Sequence, residues 1–215
     1  VPVESVYREG ITKITAQQIT AARTAGYAVK LLAICERASN GEKEGIVIRV
    51  HPTLIPLSHP LAAVRGAYNA VFVEAESAGE LMFYGAGAGG KETASAILGD
   101  LVSAAKRHLA GGPGLADSTH ANLEILPVQS VVTRFQITLE VSDEAGVLAS
   151  IASVFAENGV SVETVHQSPA DKDAAAVLTV MTHVALESDL EKVVVALSKN
   201  MAVVNVNSVI RVEGL

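Results

Sequence analysis

The residues Arg134-Phe135-Gln136-Ile137-Thr138-Leu139-Glu140-Val141 alternate polar and apolar side chains without a break. A period of two belongs to a strand with one face on a core, so a strand is predicted over Val131–Val141. Val147, Ile151, Val154 and Phe155 then fall at helical spacing and predict a helix over Gly146–Glu157. Further along, Val160–Gln167 reads as a strand and Ala174–Ala185 as another. Asp189–Asn200 reads as a helix and Val203–Val212 as a final strand. The order is β-α-β-β-α-β, the ferredoxin-like split arrangement.

Upstream the pattern changes. A helical stretch over Lys91–Leu109 meets Gly111-Gly112-Pro113-Gly114 and the polar run Asp117-Ser118-Thr119. Gly and Pro end a helix there, and the polar run has no apolar face to bury. The sequence thus divides into a unit at 1–110, a linker at 111–127 and the ferredoxin-like unit at 128–215. Within the first unit, Thr15 with Gln18 reads as a capping box that opens a helix over 16–25. Strands are predicted over 27–37, 45–51, 67–76 and 81–84, with Asn40-Gly41 as a turn and the prolines at 52, 56 and 60 excluding regular structure. The expected class is α+β: a mainly antiparallel sheet with packed helices, then the ferredoxin-like domain.

Composition removes several kinds of function. The 215 residues carry 16 Lys and Arg against 23 Asp and Glu, a net charge of -7, so the basic footprint of a nucleic-acid binder is missing. No apolar run approaches the ~20 residues that a membrane helix requires. Cys35 is the one cysteine and sits in an apolar strand, which suggests an inert buried thiol and a reducing, cytoplasmic setting. The first ten residues lack the basic and apolar regions of a signal peptide. The six histidines form no i, i+4 pair, so no metal site is expected.

Two loops offer ligand chemistry. Gly85-Ala86-Gly87-Ala88-Gly89-Gly90 satisfies G-x-G-x-x-G between a strand and a helix. The strand that completes a dinucleotide fold does not follow that helix. Two readings stay open: bare backbone touching a ligand held mainly by another domain, or glycines that only permit close packing. The second loop, Asp143-Glu144-Ala145-Gly146-Val147-Leu148, lies at a strand-to-helix turn. Asp143 is a candidate helix cap, and Gly146 leaves amides open to an amino-acid carboxylate. The plainer alternative is an ordinary cap followed by a tolerated glycine. Gly146→Val is expected to weaken binding with little effect on the fold. Arg8 and Glu9 could reach a ligand or form an ion pair.

Several motifs in series resemble homoserine dehydrogenase. They are Val6-Tyr7-Arg8-Glu9-Gly10-Ile11, Gly26-Tyr27, Lys30-Leu31-Leu32-Ala33, His51-Pro52-Thr53-Leu54-Ile55-Pro56, His59-Pro60-Leu61, Gly66-Ala67-Tyr68-Asn69-Ala70-Val71, and Tyr84 through Gly90 with Thr93, Ala94 and Asp100. The second unit resembles an ACT domain through Asp143-x-x-Gly146-Val147-Leu148 and Asn158-Gly159-Val160-Ser161.

The resemblance implies an NAD(P)-dependent oxidoreductase interconverting L-homoserine and L-aspartate 4-semialdehyde in amino-acid biosynthesis. The family's N-terminal Rossmann domain and proton-transfer lysine motif have no counterpart here. The chain is therefore expected to be the C-terminal portion and inactive alone, with no catalytic residue assigned. The resemblance places Gly89 against a cofactor bound mainly by the missing domain. It also implies an effector, with L-threonine the best guess, at Asp143, Gly146, Val147 and Asn158, and a homodimer or higher homo-oligomer. The alternative is a non-enzymatic amino-acid-binding regulatory module.

Overall fold

A computed structural model describes residues 1–39, 41, 43–111, 123–168 and 176–214. Its strands are β1 (Tyr7–Arg8), β2 (Tyr27–Ser39), β3 (Glu44–Pro56), β4 (Tyr68–Ala75), β5 (Gly79–Ala86), β6 (Glu124–Ile125), β7 (Val132–Val141), β8 (Val162–Ser168), β9 (Ala176–Thr182), β10 (Ala185–Leu186) and β11 (Val203–Val212). Its α-helices are α1 (Ala16–Thr24), α2 (Gly90–Ala110), α3 (Val147–Glu157) and α4 (Glu187–Leu197). The α+β class and the β-α-β-β-α-β order are as the sequence predicts.

The ferredoxin-like half has strand order β11-β7-β9-β8, every neighbouring pair antiparallel. The alternation that predicts β7 sends Phe135, Ile137, Leu139 and Val141 into the core. There they meet Ile151, Val154 and Phe155 of α3 and Leu190, Val193 and Leu197 of α4. Fully burying side chains of this size contributes about 1.5–3 kcal/mol each, before conformational entropy is set against it.

The chain divides by contacts into Val1–Pro56 with Leu123–Leu215, and Leu57–Asn122. This differs from the division at 111–127, and the reason is strand pairing. β3 lies antiparallel to β2 along its whole length. Its other edge takes three short parallel partners in turn: β6 at Gly45 and Ile46, β1 at Arg49 and Val50, and β11 at Thr53 and Leu54. The first segment therefore extends the ferredoxin-like sheet. Glu124 and Ile125, assigned above to the linker, are part of it; residues 112–122 of that linker lie outside the described residues. Ala22 of α1 closes one end of this unit against Leu54, Met181, Ile210 and Val212. The α1 capping box is present, with Gln18 N donating to Thr15 Oγ1 at 3.2 Å and Thr15 N to Gln18 Oε1 at 2.7 Å.

Three expectations need correction. Pro52 and Pro56 do not exclude regular structure, since β3 runs through Pro52 to Pro56. The even-numbered carbonyls of β3 point to the edge used by the short strands, as Ile46 O, Val50 O and Leu54 O accept from Leu126, Glu9 and Glu213. The donor that Pro52 lacks falls on that edge, in the gap between β1 and β11. Secondly, β2 to β5 do not form one sheet, because among the described residues β4 and β5 pair only with each other. Thirdly, Cys35 is exposed: it shares the outward face of β2 with Leu31, Ala33 and Arg37, which the chain itself leaves uncovered. Of the Asn40-Gly41 turn, Asn40 lies outside the described residues.

In the smaller unit, β4 and β5 form a hairpin turned at Gly79, whose φ of 67° suits glycine. The His59 ring accepts from Leu61 N at 3.2 Å and meets Phe72 edge-on at 4.8 Å. α2 ends at Gly111 in the left-handed region, and no residue of α2 is buried. Among the described residues no helix is long and apolar enough to cross a membrane.

Candidate functional site

The turn between β7 and α3 opens a cavity of about 430 Å³. Ser142, Glu144, Gly146 and Val147 line it from one side, and Ser150, Asn200, Met201 and Ala202 close it. The far wall is tied in place: Asn200 Nδ2 donates to Ser150 Oγ at 2.9 Å, and Ala202 N donates to Asn200 Oδ1 at 2.9 Å. Ser142 N bonds Ala202 O at 3.0 Å, which holds the two walls together. The helix cap is Gly146 itself, and no side chain caps α3. Asp143 therefore does not fill that role, because the turn is longer than the expected cap and glycine takes its last position. The first-turn amides of a helix lack intrahelical acceptors and carry a partial positive charge. Gly146 and Val147 line the cavity together with Ser142, Glu144, Ser150 and Asn200, a mixture of acceptors and donors suited to a small zwitterion, while Val147 N itself reaches Glu144 O at 3.5 Å.

Gly146 and Val147 line this cavity; Asp143 is a neighbour in the turn and does not line it. Asn158 sits at the opposite end of α3, roughly 18 Å from Gly146 at 1.5 Å per residue. There its Nδ2 donates to Val154 O at 2.8 Å and closes the helix. One chain does not bring Asn158 to Gly146. Gly146 has φ 95°, a region that β-branched side chains rarely adopt, so Gly146→Val strains the turn as well as crowding it. The expectation of an undisturbed fold is withdrawn.

The glycine loop ends β5 and opens α2. At Gly87 a Cβ would strike the Asn69 amide, and at Gly89, φ 146°, it would strike the Glu92 carboxylate. A Cβ added at Gly85 or Gly90 would meet nothing among the described residues, so side chains do not crowd the loop there. The Glu92 carboxylate in the first turn of α2 repels a pyrophosphate at that helix end. The loop fits as a wall against an uncharged part of a dinucleotide and does not fit as its phosphate cradle.

Charged side chains are buried where β3 meets β11. Arg49 is fully buried; its Nη1 reaches Glu36 at 2.5 Å, its Nη2 Glu213 at 2.8 Å, and its Nε donates to His51 Nε2 at 3.1 Å. Beside it, Arg211 donates to both oxygens of the fully buried Glu187, to Glu9 at 3.2 Å and to Tyr7 Oη at 3.2 Å. Glu9 thus forms an ion pair, one of the two readings left open above. Arg211 also lies 4.9 Å from the Tyr7 ring centroid. Burial works against the charge on Arg211, but Glu187 outweighs it and the guanidinium titrates above its usual range. Burial raises Glu187, with Arg211 opposing. His51 accepts from a donor-only guanidinium at Nε2, so its proton is on Nδ1, beside Thr53 Oγ1 at 3.0 Å. Burial pushes the ring down to about 4; the hydrogen bond to the Pro52 carbonyl opposes it, and the Arg211 and Arg49 charges add smaller lowering effects.

The sequence reading missed this network. A signal was there: Arg49, His51 and Thr53 recur at every second position of one strand, and Arg211 and Glu213 do the same at the end of another.

Residues 1–102 match the homoserine dehydrogenase family model, and residues 135–200 match that of the ACT domain. The chain is similar to homoserine dehydrogenases over essentially its whole length. It is 52% identical to the homoserine dehydrogenase of Corynebacterium glutamicum over 214 residues, covering 99% of this chain and 48% of that protein. With the Mycobacterium tuberculosis homoserine dehydrogenase it shares 46% over 219 residues, covering all of this chain and 50% of that protein. The crystal structure of the Thiobacillus denitrificans homoserine dehydrogenase superposes with a TM-score of 0.88 at 36% identity, over 99% of this chain and 49% of that one. That of S. aureus homoserine dehydrogenase gives 0.67 at 27%, over 100% and 49%. The chain spans about half the length of the homoserine dehydrogenases it matches. The dehydrogenase match contains Glu36, Arg49, His51 and the glycine loop, and the ACT match contains the Gly146 turn and Glu187. Arg211 and Glu213 lie beyond both.

Proposed function

We propose that this chain is the C-terminal portion of an NAD(P)-dependent homoserine dehydrogenase, interconverting L-homoserine and L-aspartate 4-semialdehyde, and that its ACT domain senses a small amino acid. The two family matches, in this order along one chain, carry the reading. The cofactor supplies hydride transfer; this chain contributes the bare backbone around Gly89 as one wall of its site. Effector binding is assigned to the Gly146 cavity, with Asp143 and Val147 shaping the turn and L-threonine the first ligand to test. Asn158 can join that site only from a second copy.

The isolated chain is expected to show no dehydrogenase turnover. A pure sample assayed with L-homoserine and NAD(P) should give no change in nicotinamide absorbance above background, and heat-sensitive turnover would overturn the fragment reading. Calorimetric titration with L-threonine, L-isoleucine and L-lysine tests the sensor; at least one should bind at millimolar concentration.

Self-association is also expected. Leu31, Val71, Phe83, Ile97, Leu98 and Leu101 are all exposed in the single chain, an apolar load that a lone molecule rarely carries. Sedimentation equilibrium at micromolar concentration should give at least twice the chain mass. A strictly monomeric profile would contradict the proposal.

A further inference from the structure

The helix α4 and the strand β11 form a hairpin that joins two places described above. At its turn, Asn200, Met201 and Ala202 make the far wall of the Gly146 cavity. At its open end, Glu187 begins α4 and Arg211 lies near the end of β11, and the two clasp each other in the interior. Between these ends, Leu190, Val193 and Leu197 of α4 are fully buried in the core, with Val206 and Val209 of β11 packed against it. A close-packed element of this kind moves as a body, because a dense core does not deform continuously. Displacement at the turn is therefore delivered to the Glu187–Arg211 end.

Arg211 is shared between the ACT domain and the amino-terminal segment. Its Nε and Nη2 hold Glu187 in the interior, while Nη1 reaches Glu9 and Nη2 reaches the Tyr7 hydroxyl. Tyr7 and Arg8 pair with β3, and Glu9 N donates to Val50 O at 2.8 Å, so the segment Tyr7–Glu9 is docked by few bonds. The inner carboxylate is fully buried and the outer one partly exposed, so the inner pair is the stronger. A guanidinium with one strong and one weak anionic partner has two arrangements: bridging both, or drawn onto the strong one alone.

We propose that Arg211 is a coupling residue: occupancy of the Gly146 cavity by a small amino acid shifts the α4–β11 hairpin, and Arg211 passes that shift to Tyr7 and Glu9. The inference rests on the effector reading above and adds the route out of the site. It makes the docking of Tyr7–Glu9 on β3 depend on the ligand, although that segment does not line the cavity.

Hydrogen–deuterium exchange on the 215-residue chain, with and without millimolar L-threonine, reads the coupling at the Tyr7–Gly10 amides, and calorimetry on the same samples reads binding. In the unsubstituted chain, threonine should change exchange at Tyr7–Gly10 by about fivefold or more, the lower range of allosteric coupling. Glu9→Gln leaves the buried Arg211–Glu187 pair intact and removes the outer charge. It should bind threonine as before and lose the exchange response. Arg211→Lys, whose ammonium cannot bridge both carboxylates in the same geometry, should do the same. Threonine binding without a response at Tyr7–Gly10, or an unaltered response in Glu9→Gln, overturns the coupling and leaves the effector reading standing. Failure of threonine, isoleucine and lysine to bind overturns both.

Discussion

Glu187→Gln should destabilise the protein by about 3–5 kcal/mol, the usual cost of removing one partner from a buried ion pair. Glu187 is fully buried, and its two oxygens take the Nε and Nη2 donors of Arg211. The amide can still accept one bond, but it leaves a guanidinium inside with only the partly exposed Glu9 as counter-charge. Urea unfolding should show a lower midpoint at an unchanged slope. Two controls separate this effect from general sensitivity. Lys192→Ala breaks the surface pair with Asp189 and should cost under about 1 kcal/mol. Glu187→Leu combined with Arg211→Met removes both charges and should restore much of the loss, since apolar replacement of a buried pair is often neutral. A loss under about 1 kcal/mol for Glu187→Gln would show that the pair does not hold β11 to α4.

The ferredoxin-like half was legible because its information is local. Thr133–Val141 alternates inside and outside, and Val147 to Phe155 keeps helical spacing. The capping box at Thr15 and Gln18 was legible for the same reason. What pairs with β3 was not. Parallel contacts of two residues each, with partners near Tyr7, Glu124 and Arg211, leave no periodic mark at either end. The polarity of β3 also misleads. Alternation in Gly45–His51 would send Ile46, Ile48 and Val50 inward, yet Val47, Arg49 and His51 are the buried set. Arginine and histidine can occupy that face only because Glu36 and Glu213 arrive from β2 and from the end of β11. Glu36 lies 13 positions from Arg49 and Glu213 lies 164 positions away, and no periodic pattern in the sequence links the three. The Gly146 turn was half legible: the glycine was found, but its left-handed backbone was not. The opposing wall at Asn200 comes from a turn whose role depends on tertiary contact.

Acid should destabilise this protein through His51 well before its carboxylates are fully titrated. The ring is fully buried, accepts from Arg49 at Nε2 and faces Arg49 on its own strand, Arg211 on β11 and the Tyr7 ring on β1. Protonation would break the bond to Arg49 and add a third positive charge. Its folded pKa of about 4 lies below the ordinary 6.5, so the folded state favours the neutral ring. The stability that this neutral ring contributes is complete above pH 6.5 and is lost as pH falls towards 4. At 1.36 kcal/mol per unit, the loss is about 2 kcal/mol by pH 5 and about 3 kcal/mol at the lower limit. Glu187 and Glu213 are raised by burial and also titrate in acid, with the opposite sign, so wild type alone does not isolate the histidine. His51→Gln does, because its amide oxygen can still accept from Arg49 and it cannot be protonated in this range. The variant should be the less stable protein at neutral pH, since the amide fits the ring's place imperfectly. Between pH 6.5 and 5 its urea midpoint should fall less than that of the wild type, by an amount corresponding to about 2 kcal/mol. Parallel slopes for the two proteins would mean that His51 is charged in the folded state and that the buried hydrogen bond from Arg49 is not made.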